Sequence, residues 1–333
     1  MGPGGPFPDL VTVPGNPAPP GAVVEWLTAS DGVRLRTVRW IGPANESHGT
    51  VLLVQGRTEF VEKYFEVVGE LIARGFSVVT FDWRGQGLSS RQTPEHTKGH
   101  VRDFSEFDGD LALVMDRIVR EHGKKPYHAL AHSMGGNIVL RYLHDFPHEF
   151  DRAVLTAPML AVKTAPYPLW LAKAMASVFT GTGSHSSFVI GGEKQNPFEQ
   201  VFETNGVTSD KGRFERFMAC LGAEPRLALG APTFGWLEAA FRSMELVASE
   251  EFAHGIETPV LLIGAALDQL VHPGADLLLI KRIKRGMYVM LQAEHEIMME
   301  RDEIRRAFWA CFDPFVGVAE AYRGAARASS TAA

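Results

Sequence analysis

Apolar residues fall along this chain in short dense runs, separated by longer stretches in which they recur at helical spacing. Two β-rich runs, 23–28 and 33–40, flank Asp31-Gly32 as the arms of a hairpin flank its turn. Strand and helix patterns then alternate. A strand is predicted at 51–54, a helix over 62–74 closed by Gly75, a strand at 76–81, a helix over 105–122, a strand at 127–131, a helix from 137 and a strand at 152–155. Such alternation implies βαβ units and a parallel sheet. It stops at about Met159: no buried-strand run follows until 260–263, and the block between reads as helical and rich in aromatics. The expected architecture is α/β, a mostly parallel central sheet flanked by helices with an inserted helical cap. The expected division is a flexible Pro/Gly-rich arm over 1–22, a first core segment over 23–158, the cap over 159–250, a second core segment over 251–320 and a flexible tail over 321–333.

The candidate chemistry sits where these patterns meet. Ala131-His132-Ser133-Met134-Gly135-Gly136 joins the strand at 127–131 to the helix from 137, the setting of a nucleophile elbow, with Ala131 in place of the usual first glycine. A serine hydroxyl needs a base, and the base needs an acid to orient it. Asp268 follows the strand at 260–263, and His295 follows a strand at 287–291. Loops at the carboxyl ends of parallel strands share one crevice, so Ser133, Asp268 and His295 can meet despite their separation. Asp276 is the nearest rival acid but falls inside the next helix, while His254 and His272 do not directly follow a sheet strand. His132 is expected to be structural, pointing away from the site. The two oxyanion donors are expected from the backbone N–H groups of Met134 and Arg57, the latter in the turn after the strand at 51–54. The Arg57 guanidinium also suits a phosphate or another anionic head group.

Composition removes several classes. With 33 Lys and Arg against 39 Asp and Glu, the 333-residue chain has no basic excess for nucleic acid. Cys220 and Cys311 are far apart without metal-ligand spacing, which fits a reducing compartment and argues against a disulfide framework or zinc site. The N-terminus lacks the features of a secretory signal or acylation motif, and the most apolar long stretch, 167–179, is too short to span a bilayer and carries Lys173. A cytoplasmic protein is expected, with no transmembrane segment.

Gln55-Gly56-Arg57-Thr58-Glu59-Phe60, Phe81-Asp82-Trp83-Arg84-Gly85-Gln86-Gly87-Leu88-Ser89, Lys98-Gly99-His100-Val101, the Ser133 hexapeptide and Ala293-Glu294-His295-Glu296 together resemble the lysophospholipase and monoacylglycerol lipase branch of the α/β-hydrolases. The resemblance covers about 23–318 and departs at Ala131 and at Gln55, where many relatives carry His. It implies Ser133 as nucleophile, Asp268 as acid, His295 as base and the inserted block as a lid over an acyl pocket, with no metal or organic cofactor. The expected substrate is a single-chain lipid ester. Aromatics of the cap such as Trp170, Phe214 and Trp236 would suit its chain, and the cap is the expected point of transient contact with a membrane surface, whereas oligomeric state leaves no trace in the sequence. Competing readings are a small-molecule carboxylesterase, an aminopeptidase holding the substrate amine with Glu193, Glu199 or Glu203, and a noncatalytic binding protein.

Overall fold

The computed structural model describes residues 10–42 and 48–318. Eight strands, β1 (Val23–Thr28), β2 (Arg34–Trp40), β3 (Thr50–Val54), β4 (Ser77–Phe81), β5 (Tyr127–His132), β6 (Arg152–Thr156), β7 (Val260–Ala265) and β8 (Gly286–Leu291), form one sheet in the order β1-β2-β4-β3-β5-β6-β7-β8. The β1–β2 and β2–β4 pairings are antiparallel and every other pairing is parallel. The expected hairpin turns at Gly32, whose φ of 84° is one a Cβ would strain. β3, β4, β5 and β7 are buried along their whole length, which is why they read as mostly apolar runs rather than as an alternation of apolar and charged residues.

Successive side chains of these strands go to opposite faces. Leu52, Val54, Ala129 and Ala131 enter one core with α2 (Ser105–Val114) and α4 (Met134–Asp145), whereas Val51, Leu53 and Leu130 enter a second core with α1 (Phe65–Ala73) and α10 (Asp302–Val316). The helix expected over 105–122 is α2, a π-helical turn at Met115–Val119 and α3 (Arg120–His122). Between β6 and β7 lie α5 (Leu169–Gly181), α6 (Lys211–Ala223), α7 (Phe234–Ala248) and α8 (Glu250–Gly255), with β7 and β8 joined through α9 (Pro273–Ile280). Asp210, Thr233 and Ser249 cap α6, α7 and α8 by accepting from backbone N–H groups three residues on. The aromatics of this block divide: Trp236 and Phe214 are buried, while Trp170 is 69% exposed.

The arm departs from expectation over 10–22. Val11 and Val13 are buried with Phe60, Leu88 and Leu221, the Val11 N–H donates to Glu62 Oε1 at 3.0 Å, and the Asn16 amide donates to the Glu62 carbonyl at 2.9 Å. The Trp40 indole donates to Pro19 O at 2.9 Å. Two valines among prolines give this segment a small apolar face, and the buried Glu62 carboxylate requires donors. Residues 1–9 and the expected tail over 321–333 lie outside the described residues.

One buried ionic cluster matters for the site. Arg36, fully buried, bridges Glu62 at 2.7 Å and Asp82 at 2.7 Å. Asp82 in turn accepts from the N–H groups of Val61 and Leu88. The turn after β4, which carries Gln86, is thereby fixed against the loop after β3. Removing one partner of such a cluster would leave a buried charge uncompensated.

Candidate active site

β5 runs into Ser133 and then directly into α4, with no loop between strand and helix. Ser133 adopts φ 51° and ψ −117°, a strained conformation for a residue with a Cβ. Its backbone is held on both sides: Ser133 N–H donates to Thr156 O at 3.1 Å, and Ser133 O accepts from Met159 N–H at 2.9 Å. The turn is crowded. A Cβ at Gly135 would collide with the Gln55 carbonyl oxygen, and one at Gly136 would stand 2.8 Å from Pro158 Cβ. Ala131 is fully buried in the core that β3 and β5 share with α4.

Asp268 and His295 arrive from the ends of β7 and β8. Asp268 Oδ1 accepts from the N–H groups of Leu270 at 2.7 Å and Val271 at 2.9 Å, leaving Oδ2 for His295 Nδ1 at 2.5 Å. His295 Nε2 lies 2.9 Å from Ser133 Oγ. Burial alone would raise the Asp268 pKa, but the hydrogen bond and charge of His295, with the two backbone donors, hold it below its ordinary value. An ionised Asp268 fixes the tautomer in which Nδ1 carries the proton, so Nε2 is free to accept from the serine hydroxyl.

The loop after β3 borders Ser133: a Cβ at Gly56 would stand 3.1 Å from Ser133 Cβ. Its carbonyls are turned away and occupied, Gln55 O by the Trp83 indole at 2.9 Å and Gly56 O by the Gln86 amide at 3.0 Å. The Gly56 N–H is taken by Glu59 Oε2 at 2.5 Å, and the Thr58 N–H donates to Gln86 Oε1 at 3.3 Å. The Gln55 side chain, at the position of the departure from relatives, donates to Thr80 Oγ1 at 3.3 Å. Arg57 and Met134 therefore sit on the two backbone segments that flank Ser133, with the neighbouring amides already engaged.

Under the imidazole lies a polar group that the sequence did not announce. Lys63 Nζ bridges Glu59 Oε1 at 2.9 Å and Glu296 Oε1 at 2.5 Å, and Tyr64 donates to Glu59 Oε2 at 2.8 Å. Burial opposes the Glu59 charge, yet Lys63 and the other neighbours hold the carboxyl down at about 2. His132 does not lie remote from the triad. Its ring centroid is 4.8 Å from that of His295, and its Nε2 is 4.0 Å from Glu59. Burial brings the His132 pKa down to about 4, so it is neutral near pH 7 and adds no charge beside the imidazolium that catalysis would form. The local signals for this group were the glutamate at each motif, Glu59 and Glu296, and the four-residue spacing of Glu59 and Lys63, whereas the pairing of Lys63 with Glu296 is distant in sequence.

Asp276, the rival acid, lies within α9 with both carboxyl oxygens buried and without a hydrogen-bond partner among the described residues. Burial and the nearby Asp268 push it up to about 8. A carboxyl so placed is favoured in its neutral form and, unlike Asp268, accepts no hydrogen bond from a histidine among the described residues. Among the described residues no group of three or more His, Cys, Asp or Glu could hold a metal ion.

A cavity of about 460 Å³ opens beside these groups. Its walls include Arg57 and Thr58 from the loop after β3, Leu270 just beyond Asp268, Glu296 next to His295, and Phe214 and Phe217 of α6. Glu199 also lines it, whereas Glu193 and Glu203 do not. No helix among the described residues is long and apolar enough to cross a membrane.

Comparison with known proteins agrees with this architecture. A family model described as "Serine aminopeptidase, S33" matches residues 45–302. The chain is 26% identical over 296 residues to a probable lysophospholipase L2 of Haemophilus influenzae, covering 88% of this chain and 92% of that one. It is 29% identical over 301 residues to lysophospholipase L2 of Escherichia coli strain K12, covering 84% and 83%. A soluble variant of monoglyceride lipase from Saccharomyces cerevisiae, solved with a substrate analog, superposes with a TM-score of 0.68 at 19% identity, covering 93% and 98%, a likeness of fold. With the family match spanning most of the chain and the parallel sheet bringing its strand-end loops to one crevice, the protein belongs to the serine aminopeptidase S33 family on the α/β-hydrolase fold.

Proposed function

We propose that this protein is a serine hydrolase that cleaves carboxylic esters of single-chain lipids, lysophospholipids or monoacylglycerols, through an acyl-enzyme on Ser133. The observation that carries the reading is the unbroken relay from Asp268 through His295 to Ser133, at 2.5 and 2.9 Å, mounted on a strained elbow. Ser133 Oγ attacks the ester carbonyl while His295 Nε2 takes its proton. Asp268 stabilises the resulting imidazolium, and the backbone N–H groups of Arg57 and Met134 receive the oxyanion. His295 then protonates the leaving alcohol, and water, deprotonated by the same imidazole, releases the fatty acid. The lipid assignment rests on relatives named for lysophospholipase activity that align along more than four fifths of this chain.

The block over 159–250 serves as a lid in this reading. Trp170 and Val178, 69% and 62% exposed on α5, are the side chains with which a cytoplasmic enzyme would touch a membrane surface to collect its substrate. The test is hydrolysis of lysophosphatidylcholine and of a monoacylglycerol with the same acyl chain, with Ser133→Ala as blank. Serine-dependent release of fatty acid from either supports the proposal, and none from both overturns it. Aminopeptidase activity is a second reading, favoured by the family description and by Glu199 on the cavity wall, where it could hold a substrate amine. Turnover of an aminoacyl amide without ester turnover would select it.

A further inference from the structure

Two of the three cations on the cavity wall are held by carboxylates. Lys63 is held by Glu59 and Glu296, and Arg213 by Glu66, Asp210 and Asp302. Arg57 has no carboxylate within ion-pair distance among the described residues. The buried arginines Arg36, Arg74, Arg84 and Arg305 each meet at least one carboxylate, and the half-buried Arg91 donates to several carbonyls. The Arg57 guanidinium makes one hydrogen bond, from Nη2 to the Gly230 carbonyl at 2.5 Å, and lies 5.2 Å from the centre of the Trp236 ring. Its Nε–H is enclosed with no acceptor among the described residues. A half-buried cation with no carboxylate partner is under-satisfied, and it gains from an anion that arrives with the substrate. Burial lowers its pKa only to about 10, so it remains charged at neutral pH.

Space has been left for this group. A Cβ at Gly99 would stand 2.5 Å from Arg57 Nη2, so a side chain there would require the guanidinium to shift. The placement also fits the chemistry. The Arg57 backbone is where the proposed oxyanion donor lies, so its side chain begins beside the scissile carbonyl. In a glycerophospholipid the phosphate is only a few bonds from that carbonyl. A planar guanidinium with unfilled N–H groups matches a phosphate, through two parallel charge-assisted hydrogen bonds, better than it matches the hydroxyls of a glycerol. Of the carboxylates on the same wall, Glu296 is engaged with Lys63, and Glu199 is exposed and makes no ion pair with Arg57.

We infer that Arg57 is the head-group residue of this enzyme and binds the phosphate of a lysophospholipid, making that phosphate-bearing lipid, rather than a neutral monoacylglycerol, the preferred substrate. The inference rests on the ester hydrolase function proposed above and narrows it. On binding, the phosphate takes guanidinium N–H groups that the Gly230 carbonyl does not engage.

The experiment measures kcat/KM for lysophosphatidylcholine and monoacylglycerol carrying the same short acyl chain, both below micelle formation. The proteins are wild type, Arg57→Gln and Arg57→Lys. The quantity read is the ratio of the two values, because any disturbance of the loop after β3 lowers both and cancels. The expected ratio favours the phospholipid in the wild type and falls by roughly ten- to a hundredfold in Arg57→Gln, the range for a hydrogen bond to a charged group. Arg57→Lys should retain an intermediate ratio. sn-Glycerol 3-phosphate should also inhibit hydrolysis of a short neutral ester competitively in the wild type, and more weakly in Arg57→Gln. A ratio unchanged by either substitution, with glycerol phosphate inhibiting wild type and variant alike, overturns the role of Arg57 and leaves the ester hydrolase reading intact. Absence of turnover of both lipids by the wild type overturns that reading, and this inference with it. If Arg57→Gln does not fold, Arg57→Lys and glycerol phosphate inhibition of the wild type decide the question.

Discussion

Replacing Asp276 with asparagine is expected to stabilise the protein, and by more as pH rises. The carboxyl is buried without a protein hydrogen-bond partner among the described residues, and burial together with Asp268 pushes its pKa from an ordinary 3.8 to about 8. Between these values the folded chain holds a proton that the unfolded chain has released, so stability falls with rising pH. Each unit of separation is worth about 1.4 kcal/mol. At pH 7 the separation passed through is roughly three units, which makes about 4 kcal/mol the ceiling on the penalty relative to an ordinary carboxyl. Below the unfolded pKa the penalty vanishes, and above about 8 it stops growing because both states are ionised. An asparagine keeps the shape and cannot ionise. The assay is urea unfolding of wild type and Asp276→Asn at several values between pH 5 and 9. The variant's advantage should grow by about 1.4 kcal/mol per pH unit up to about pH 8 and then level off. A difference that does not vary with pH over this window would refute the reasoning.

The remaining predictions concern the site. Asp268→Asn should leave KM little changed and lower kcat by about 10⁴-fold, the order seen when the orienting acid of such a triad is replaced by its amide; steady-state kinetics on an ester checks it. Gly135→Ala would drive a methyl into the Gln55 carbonyl. We expect a stability loss of about 1–3 kcal/mol by thermal or urea unfolding, with a larger fall in ester turnover as the loop after β3 shifts. Lys63→Met leaves Glu59 and Glu296 buried without their shared cation. Loss of stability should be about 3–5 kcal/mol, and recovery in the triple variant with Glu59→Gln and Glu296→Gln would show that the charges are the cause.

What could be read in the sequence was written in short-range pattern. The elbow at Ser133 compresses strand, turn and helix into a dozen residues, so its signature is local, and the parallel sheet then explains why strand-end residues as distant as 133, 268 and 295 approach one another. The α/β architecture was legible for the same reason, since β3, β4 and β5 are buried on both faces and therefore mostly apolar and free of Asp, Glu, Lys and Arg. The support beneath the site was not. Lys63 meets Glu296 and Arg36 meets Glu62 and Asp82 only because the fold carries them together. Spacing alone holds no trace of such pairs. His132 looked structural and is buried, but neighbouring strand-end loops bring its ring against His295. The segment over 10–22 looked unstructured because proline and glycine mask two anchoring valines, and its chief acceptor, Glu62, lies in a helical turn elsewhere.

The claim on which the rest depends is that Ser133 becomes acylated by an ester substrate. It is tested most directly by rapid acid quench of the enzyme during turnover of a short-chain ester, followed by mass spectrometry of its peptides. The account predicts one acyl group on the peptide containing Ser133, absent in Ser133→Ala and accumulating more slowly in Asp268→Asn. Turnover with no acyl group on Ser133, or with the acyl group on another residue, would contradict it.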